Sequence, residues 1–335
     1  MLPKDMEFLE IIMNNHCPSP GVSEITAKAI KALKGFKGLF IAAAIVIVII
    51  MGLFAYSGLW PPLVVVESES MQHSDTTSYI GVIDTGDLVV VKTVASLSEV
   101  KTYVASINEG YKTYGDYGDV VIYNRDGSLL AKPVIHRAIV ELVFNSTSYS
   151  FDIPSLANVP LDKWSVGGQH SGKWYDLKAS LELYHMGYRD QTITISLSSL
   201  LNYFESNGIA PHGGLITKGD HNLLYDQSPM ANIAHQPIIA QWVVGEARGE
   251  IPWFGLIKLW VGGNMPAQTP ENSKTDLILT IVIIIAIPIT LDVTEYMLRR
   301  RGIDMWARTR AVLRMKPKKP EIEEMPDKPD VKKKD

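Results

Sequence analysis

The chain has 335 residues, of which 46% are hydrophobic, and carries 32 Lys and Arg against 36 Asp and Glu. That length and apolar content suit one sizeable domain with membrane segments better than two soluble domains. The lone cysteine, Cys17, excludes an internal disulfide framework, and because it precedes the first apolar run it says little about redox compartment.

Residues 1–37 contain a short apolar patch, a Pro-Ser-Pro-Gly break, and a stretch from Ser23 to Phe36 with Lys28, Lys31, Lys34 and Lys37, which reads as an amphipathic helix. The run from Gly38 to Tyr56 has no charge and, at about 1.5 Å per helical residue, reaches roughly 28 Å, close to the thickness of a hydrocarbon core. A transmembrane helix is therefore expected over 38–58. Trp60-Pro61-Pro62 is expected to end it, since Trp favours the membrane interface and proline cannot continue a helix. A cleaved secretory signal would have a shorter apolar core followed by small residues, so the run reads as a retained anchor.

From 61 to 275 the pattern is mostly that of strands. They are expected at Leu63–Val66, Asp87–Lys92, Asp119–Asn124, Pro133–Val143, Gln191–Leu197, Gly214–Lys218 and Ile238–Gly245, several of them introduced by Gly-Asp turns. Alternation is clearest in Pro133–Val143: Val134, His136, Ala138, Val140 and Leu142 share one face, with Arg137 and Glu141 on the other. Residues 144–212 are polar and aromatic, with Trp164, Trp174, Tyr175, Tyr184 and Tyr188, a short helix around Ser198–Glu205 and an Asn145-Ser146-Thr147 acceptor pattern. This stretch reads as an extra β subdomain packed on the sheet, or alternatively as a lid or docking surface.

The second apolar run, Leu277–Leu291, has 15 uncharged residues and contains Pro288, so on its own it is marginal as a span. Arg299-Arg300-Arg301 and a Lys-rich tail follow it, which favours a second span over 277–297, with an interfacial or partner-packed helix as the alternative. Basic residues outnumber acidic ones 5 to 4 over 1–37 and 13 to 10 over 276–335, whereas 61–275 has 14 against 22. The positive-inside bias then puts both termini in the cytoplasm and the middle outside. The tail over 298–335 reads as basic and, from Lys316, as solvated and disordered.

Three residue types capable of acyl-transfer chemistry occur at expected strand ends and turns in the order Ser, His, Asp. Glu67-Ser68-Glu69-Ser70-Met71 lies one short strand beyond the first span; His136 sits on an otherwise apolar face; and Thr217-Lys218-Gly219-Asp220-His221-Asn222 ends at a turn, with Asp226 four residues on. A histidine on an apolar face is by itself more often a satisfied core residue, and a Gly-Asp turn is usually structural. His170, His185, His212, His221 and His235 show no metal-ligand spacing and no Gly-rich phosphate loop occurs, so neither a metal nor a cofactor is expected.

As a set, these blocks resemble the type I signal peptidases of the archaeal and endoplasmic-reticulum branch. Ser68-Glu69-Ser70-Met71 is similar to the family's Ser-Gly-Ser-Met nucleophile box, and Gly86-Asp87-Leu88-Val89-Val90 resembles the strand after it. Pro133-Val134-Ile135-His136-Arg137 looks like the box where this branch has histidine and bacterial relatives lysine; Thr217 to Asn222 with Asp226 is similar to the acidic box; and Val243 to Gly249 followed by Ile251-Pro252-Trp253 resembles the closing strand and turn. The matches span about residues 38–260. Two positions depart from the pattern: Glu69 stands where glycine is usual, and His73 where proline is expected. A carboxylate at 69 is expected to narrow the cleft or perturb the oxyanion site.

The resemblance implies a mainly β catalytic domain outside the membrane, flanked by one N-terminal and one C-terminal transmembrane helix. It implies Ser70 as nucleophile and His136 as its base, Asp226 orienting the imidazole, Asp220 supporting the site, and Ser68 with Met71 on the oxyanion and substrate side. The expected activity is removal of signal peptides after small residues, at the cell membrane or, in a eukaryote, the endoplasmic-reticulum membrane. Expected partners are signal-peptide-bearing precursors, membrane lipids and the translocation machinery, with no nucleic acid. Two alternatives remain open at this point: a membrane-anchored β scaffold that has lost activity, and a related peptidase acting on other membrane-tethered proteins.

Overall fold

A computed structural model describes residues 37–263 and 265–302; the amphipathic helix expected over Ser23–Phe36 and the tail from Lys316 lie outside them. The chain divides into two compact units, 1–275 and 276–335. The first helix, α1, covers Lys37–Ser57. It stops before the prolines because Gly58 takes a left-handed conformation, φ +69°, and returns its N–H to the Phe54 carbonyl, which closes the last turn.

The strands of the first unit are β1 (Leu63–Val65), β2 (Leu88–Lys92), β3 (Lys112–Thr113), β4 (Asp116–Tyr117), β5 (Val120–Tyr123), β6 (Val134–Asn145) and β7 (Ser150–Asp152). They continue with β8 (Trp164–Val166), β9 (Leu181–Met186), β10 (Gln191–Ile195), β11 (Gly214–Lys218) and β12 (Val243–Ile251). Three helices accompany them: α2 (Tyr103–Ser106), α3 (Leu197–Asn207) and α4 (Gly255–Val261). The strand expected over Ile238–Gly245 is displaced. Ile238 makes only an isolated bridge to Leu215, a turn of 3-10 helix follows at Ala240–Trp242, and the paired strand begins at Val243.

The main antiparallel sheet has the order β1-β2-β12-β5-β6-β11, with β7 extending β6. Both of its faces are covered, which explains why β5 reads as an unbroken apolar run. Val120, Ile122 and Ile135 pack on one side with Met71, Ile83 and Val89, whereas Val121, Tyr123 and Val134 pack on the other with Leu215 and Ile238. Among the described residues β1 pairs with β2 alone, which leaves its outer edge along Leu63–Val65 without a strand partner there.

The stretch 144–212 is continuous with this domain. Its strands β8, β9 and β10 form a small antiparallel sheet, and α3 buries Leu197, Leu200, Leu201 and Phe204 at helical spacing. Ser196 caps the start of α3 through the Ser199 N–H, and Gly208 at φ +64° ends it. The cluster that receives this stripe also contains Tyr103, Val140, Leu142 and Ile216, so sheet and insert share one core. Asn145 is tied into the insert: its amide nitrogen donates to Asp152 and Asp176 and its oxygen accepts the Thr147 N–H.

Behind β1, Gly86 adopts φ +98°, and a side chain there would run into Leu256. Asp87 next to it is buried and accepts the N–H groups of Asp84 (2.7 Å) and Trp253 (2.8 Å), binding the start of β2 to the turn after β12. Burial pushes Asp87 and Glu250 up to about 7. A second apolar helix, α5, runs from Glu271 to Arg300 through Pro288, and over Glu271–Leu298 it is long and apolar enough to cross a membrane. It therefore continues well past both ends of the 15-residue apolar run.

Two outcomes are expected from this architecture. Phe204→Ala should lower unfolding free energy by about 3–5 kcal/mol, in a single transition that includes the main sheet, measured by denaturant titration of the full chain in detergent. Asp87 is raised in the folded state, so it takes up a proton on folding and stability falls as pH rises from about 4 to about 7, by about 1.4 kcal/mol per unit. Glu250, raised alike, adds to that fall, so Asp87→Asn should remove the Asp87 share and leave the remainder, and thermal melting at pH 4, 5.5 and 7 reads the difference.

Candidate active site

Two consecutive residues of β6 organise the site. Neighbouring residues of a strand point to opposite faces, so His136, opposite Val121, and Arg137, opposite Val120 and Lys218, enter different sides of the sheet. Each meets its own buried aspartate. His136 Nδ1 lies 2.7 Å from Asp226 Oδ2, and Arg137 grips Asp220 through Nε at 2.8 Å and Nη2 at 2.6 Å.

On the histidine face, Asp226 Oδ2 also accepts the Tyr123 hydroxyl at 2.7 Å and the Thr217 hydroxyl at 2.6 Å. Asp226 Oδ1 is buried with no hydrogen-bond partner among the described residues. Burial alone would raise this carboxyl, but the His136 ring and the Thr217 and Tyr123 hydroxyls outweigh it and hold it below the usual carboxylate range. An ionised Asp226 can only accept, so Nδ1 of His136 carries the proton between them; this assignment follows from the partner.

Gly219 lies between that ring and the serine turn. A methyl group on Gly219 would lie 2.5 Å from the Ser70 carbonyl oxygen and 2.9 Å from His136 Nε2. The two atoms thus flank one Cα with no room for a side chain between them. The Ser70 carbonyl accepts the His221 N–H at 2.9 Å, which fastens the serine turn to the loop leaving β11. Ser70 Oγ lies 3.2 Å from Ser68 Oγ, which is exposed. Catalytic hydrogen bonds to a nucleophile often tighten only with substrate bound.

On the opposite face, the Arg137 side chain is 1% exposed although its β6 position alternates with the apolar face. The loop carrying β3 and β4 covers it and supplies the carbonyls of Thr113, Asp116, Tyr117 and Gly118 to Nη1. Asp220 is buried, which would raise it, but the Arg137 guanidinium and the His73 hydrogen bond bring it well below the usual range. His73 Nε2 lies 3.1 Å from Asp220 Oδ2. Lys218, paired with Arg137 across the strands and almost fully buried, donates to the Gly219 carbonyl, and burial pushes it down to about 8.

The structure pairs His136 with Asp226 and Ser68 with Ser70, and Gly219 lies between the Ser70 carbonyl and His136 Nε2; among the described residues no hydrogen bond joins Ser70 Oγ to the imidazole. Asp220 does not bond the imidazole: its side-chain partners are Arg137, which leaves the other face of β6, and His73. Met71 turns inward to pack with Val66 and Ile83, so its side chain supports the serine turn from beneath and offers no contact to a substrate. Tyr123 and Thr217 were not assigned roles by their sequence pattern, because their meeting at Asp226 depends on the cross-strand register. Arg137 was legible only as the alternating neighbour of His136.

Comparison with protein-family models, with curated proteins and with solved structures yields no match.

Asp220→Asn removes one partner of a buried, bidentate ion pair and leaves the Arg137 charge uncompensated. The expected loss is about 3–5 kcal/mol of stability, whereas Asp226→Asn, which can still accept from Tyr123 and Thr217, should destabilise less. Parallel denaturant titrations of the two variants check the ordering.

Proposed function

We propose that the chain is a membrane-bound serine endopeptidase of the signal-peptidase type, removing N-terminal signal peptides from precursors. The observation that carries this reading is the Asp226–His136 pair, whose Nε2 lies, like the Ser70 carbonyl oxygen, beside Gly219. Ser70 Oγ would attack the scissile carbonyl while His136 Nε2 takes its proton; the imidazolium, stabilised by Asp226, would return it to the leaving amine. Water, deprotonated by the same ring, would then release the acyl group from Ser70. The Ser70 N–H and the Ser68 hydroxyl would receive the developing oxyanion; loss of one such donor costs about 100- to 1000-fold in rate.

The substrate class follows from the surroundings of the serine. The outer edge of β1 leads directly to Ser68 and can take an extended peptide as an added strand. Glu67, just after β1, pairs with Lys132 and Lys258, and Leu129, Leu130, Ile257 and Trp260, within three residues of those lysines in the chain, are exposed and would suit the apolar part of a signal peptide. Two apolar helices and the charge bias support an integral protein with its catalytic domain outside.

Ser70→Ala in the full chain in detergent should abolish cleavage of a precursor with an Ala-x-Ala site while leaving the melting temperature unchanged; cleavage surviving in that variant ends the proposal. Asp226→Asn should reduce turnover by about 1000- to 10,000-fold through the wrong imidazole tautomer. Failure of a serine-reactive phosphonate to label wild-type Ser70 would favour the scaffold reading, and sequencing of products from mixed membrane substrates separates a signal peptidase from a peptidase of other tethered proteins.

A further inference from the structure

The β9–β10 turn belongs to the insert, yet it reaches the serine turn from outside. Gly187, at φ +72°, is held by the Tyr103 hydroxyl, which accepts its N–H at 2.9 Å, so the turn is anchored to α2 before it projects. Tyr188 then stacks on His73, with ring centroids 4.1 Å apart and planes at 17°, and its hydroxyl donates to the Gln72 carbonyl at 3.1 Å. Arg189 donates through Nε to the Tyr188 hydroxyl at 2.8 Å, and its Nη2 lies 3.0 Å from His221 Nδ1.

These contacts end on both attachments of the nucleophile segment. Gln72 and His73 lie two and three residues after Ser70, and His221 is the residue whose N–H holds the Ser70 carbonyl. The segment from Ser68 to Gln72 has no strand partner, and its own backbone supplies only the Gln72 N–H to Glu69 carbonyl bond, so its position depends on distant groups. His73, the departure from the family pattern, serves two of them at once: its ring lies against Tyr188 and its Nε2 bonds Asp220.

We propose that Tyr188 and Arg189 are positioning residues for Ser70, Tyr188 acting through Gln72 and His73 and Arg189 through His221. The proposal rests on Ser70 being the nucleophile. Geometry of this kind matters because displacement of a reacting group by about 1 Å costs on the order of 100-fold in rate. Neither side chain is buried, so their removal should disturb the site without unfolding the domain.

The test uses the full chain in detergent and a fluorophosphonate probe, in which Ser70 Oγ displaces fluoride from phosphorus and His136 takes the hydroxyl proton. Labelling is followed by intact mass and mapped by peptide sequencing. Tyr188→Ala and Arg189→Ala should each lower the maximal labelling rate about 10- to 100-fold, with the half-saturating probe concentration and the melting temperature unchanged. Tyr188→Phe, which keeps the stack on His73 and loses the hydroxyl's bonds to Gln72, Arg189 and His221, should recover the part of the rate that the stack carries and fall between Tyr188→Ala and wild type. Wild-type labelling at Ser70 with variants at the wild-type rate would overturn the positioning role and leave the site assignment standing. A rate loss matched by a fall in melting temperature, without recovery in Tyr188→Phe, would also overturn it. Absence of labelling at wild-type Ser70 would overturn the nucleophile assignment and this proposal together.

Discussion

Everything at the site depends on a strand that carries an imidazole and a guanidinium on adjacent residues. Because β6 alternates, His136 and Arg137 leave the sheet on opposite faces, and each is met by a buried carboxylate held ionised by its partner. A buried charge is tolerated only when it is paired and hydrogen-bonded, so Asp220 and Asp226 have little freedom to exchange roles. The sheet itself divides the labour: one aspartate fixes a proton on an imidazole, and the other anchors the loops that carry the serine turn.

The end of β11 joins these two halves. Thr217 bonds Asp226, Lys218 lies on the Arg137 side, and Gly219 is the point where the Ser70 carbonyl and the imidazole approach one Cα. No residue with a β-carbon fits there without displacing backbone or ring. The Lys218 ammonium, depressed by burial, and the Arg137 guanidinium both feel the Asp220 carboxylate, so the charges under this loop are paired.

The insert changes how the domain is held together. Its helix α3 and its strands complete a core begun by β6 and β11, while its β9–β10 turn leans on the residues following Ser70. A stretch that adds apolar burial on one side and polar contacts on the other couples global stability to local placement of the serine. His73 and His221, which look unremarkable in sequence, become the residues through which that coupling passes.

Much of this was legible beforehand. The period-two pattern of β6 placed His136 on a buried face, the Gly-Asp turns marked the starts of β2 and β5, and the two uncharged runs announced the apolar helices, because these signals are local and arise from residues near one another in the chain. The displaced start of β12 was not legible, since Ile238–Trp242 is as apolar as a strand and only its pairing decides otherwise. Sequence alone therefore determined which residue types capable of the chemistry are present and on which elements they ride. Tertiary structure alone decided that Asp226 rather than Asp220 faces the imidazole, that Arg137 is buried, and that Tyr188 reaches the serine turn. Each of these depends on cross-strand register and on contacts between segments some tens of residues or more apart, and no local pattern encodes the energy of such a contact.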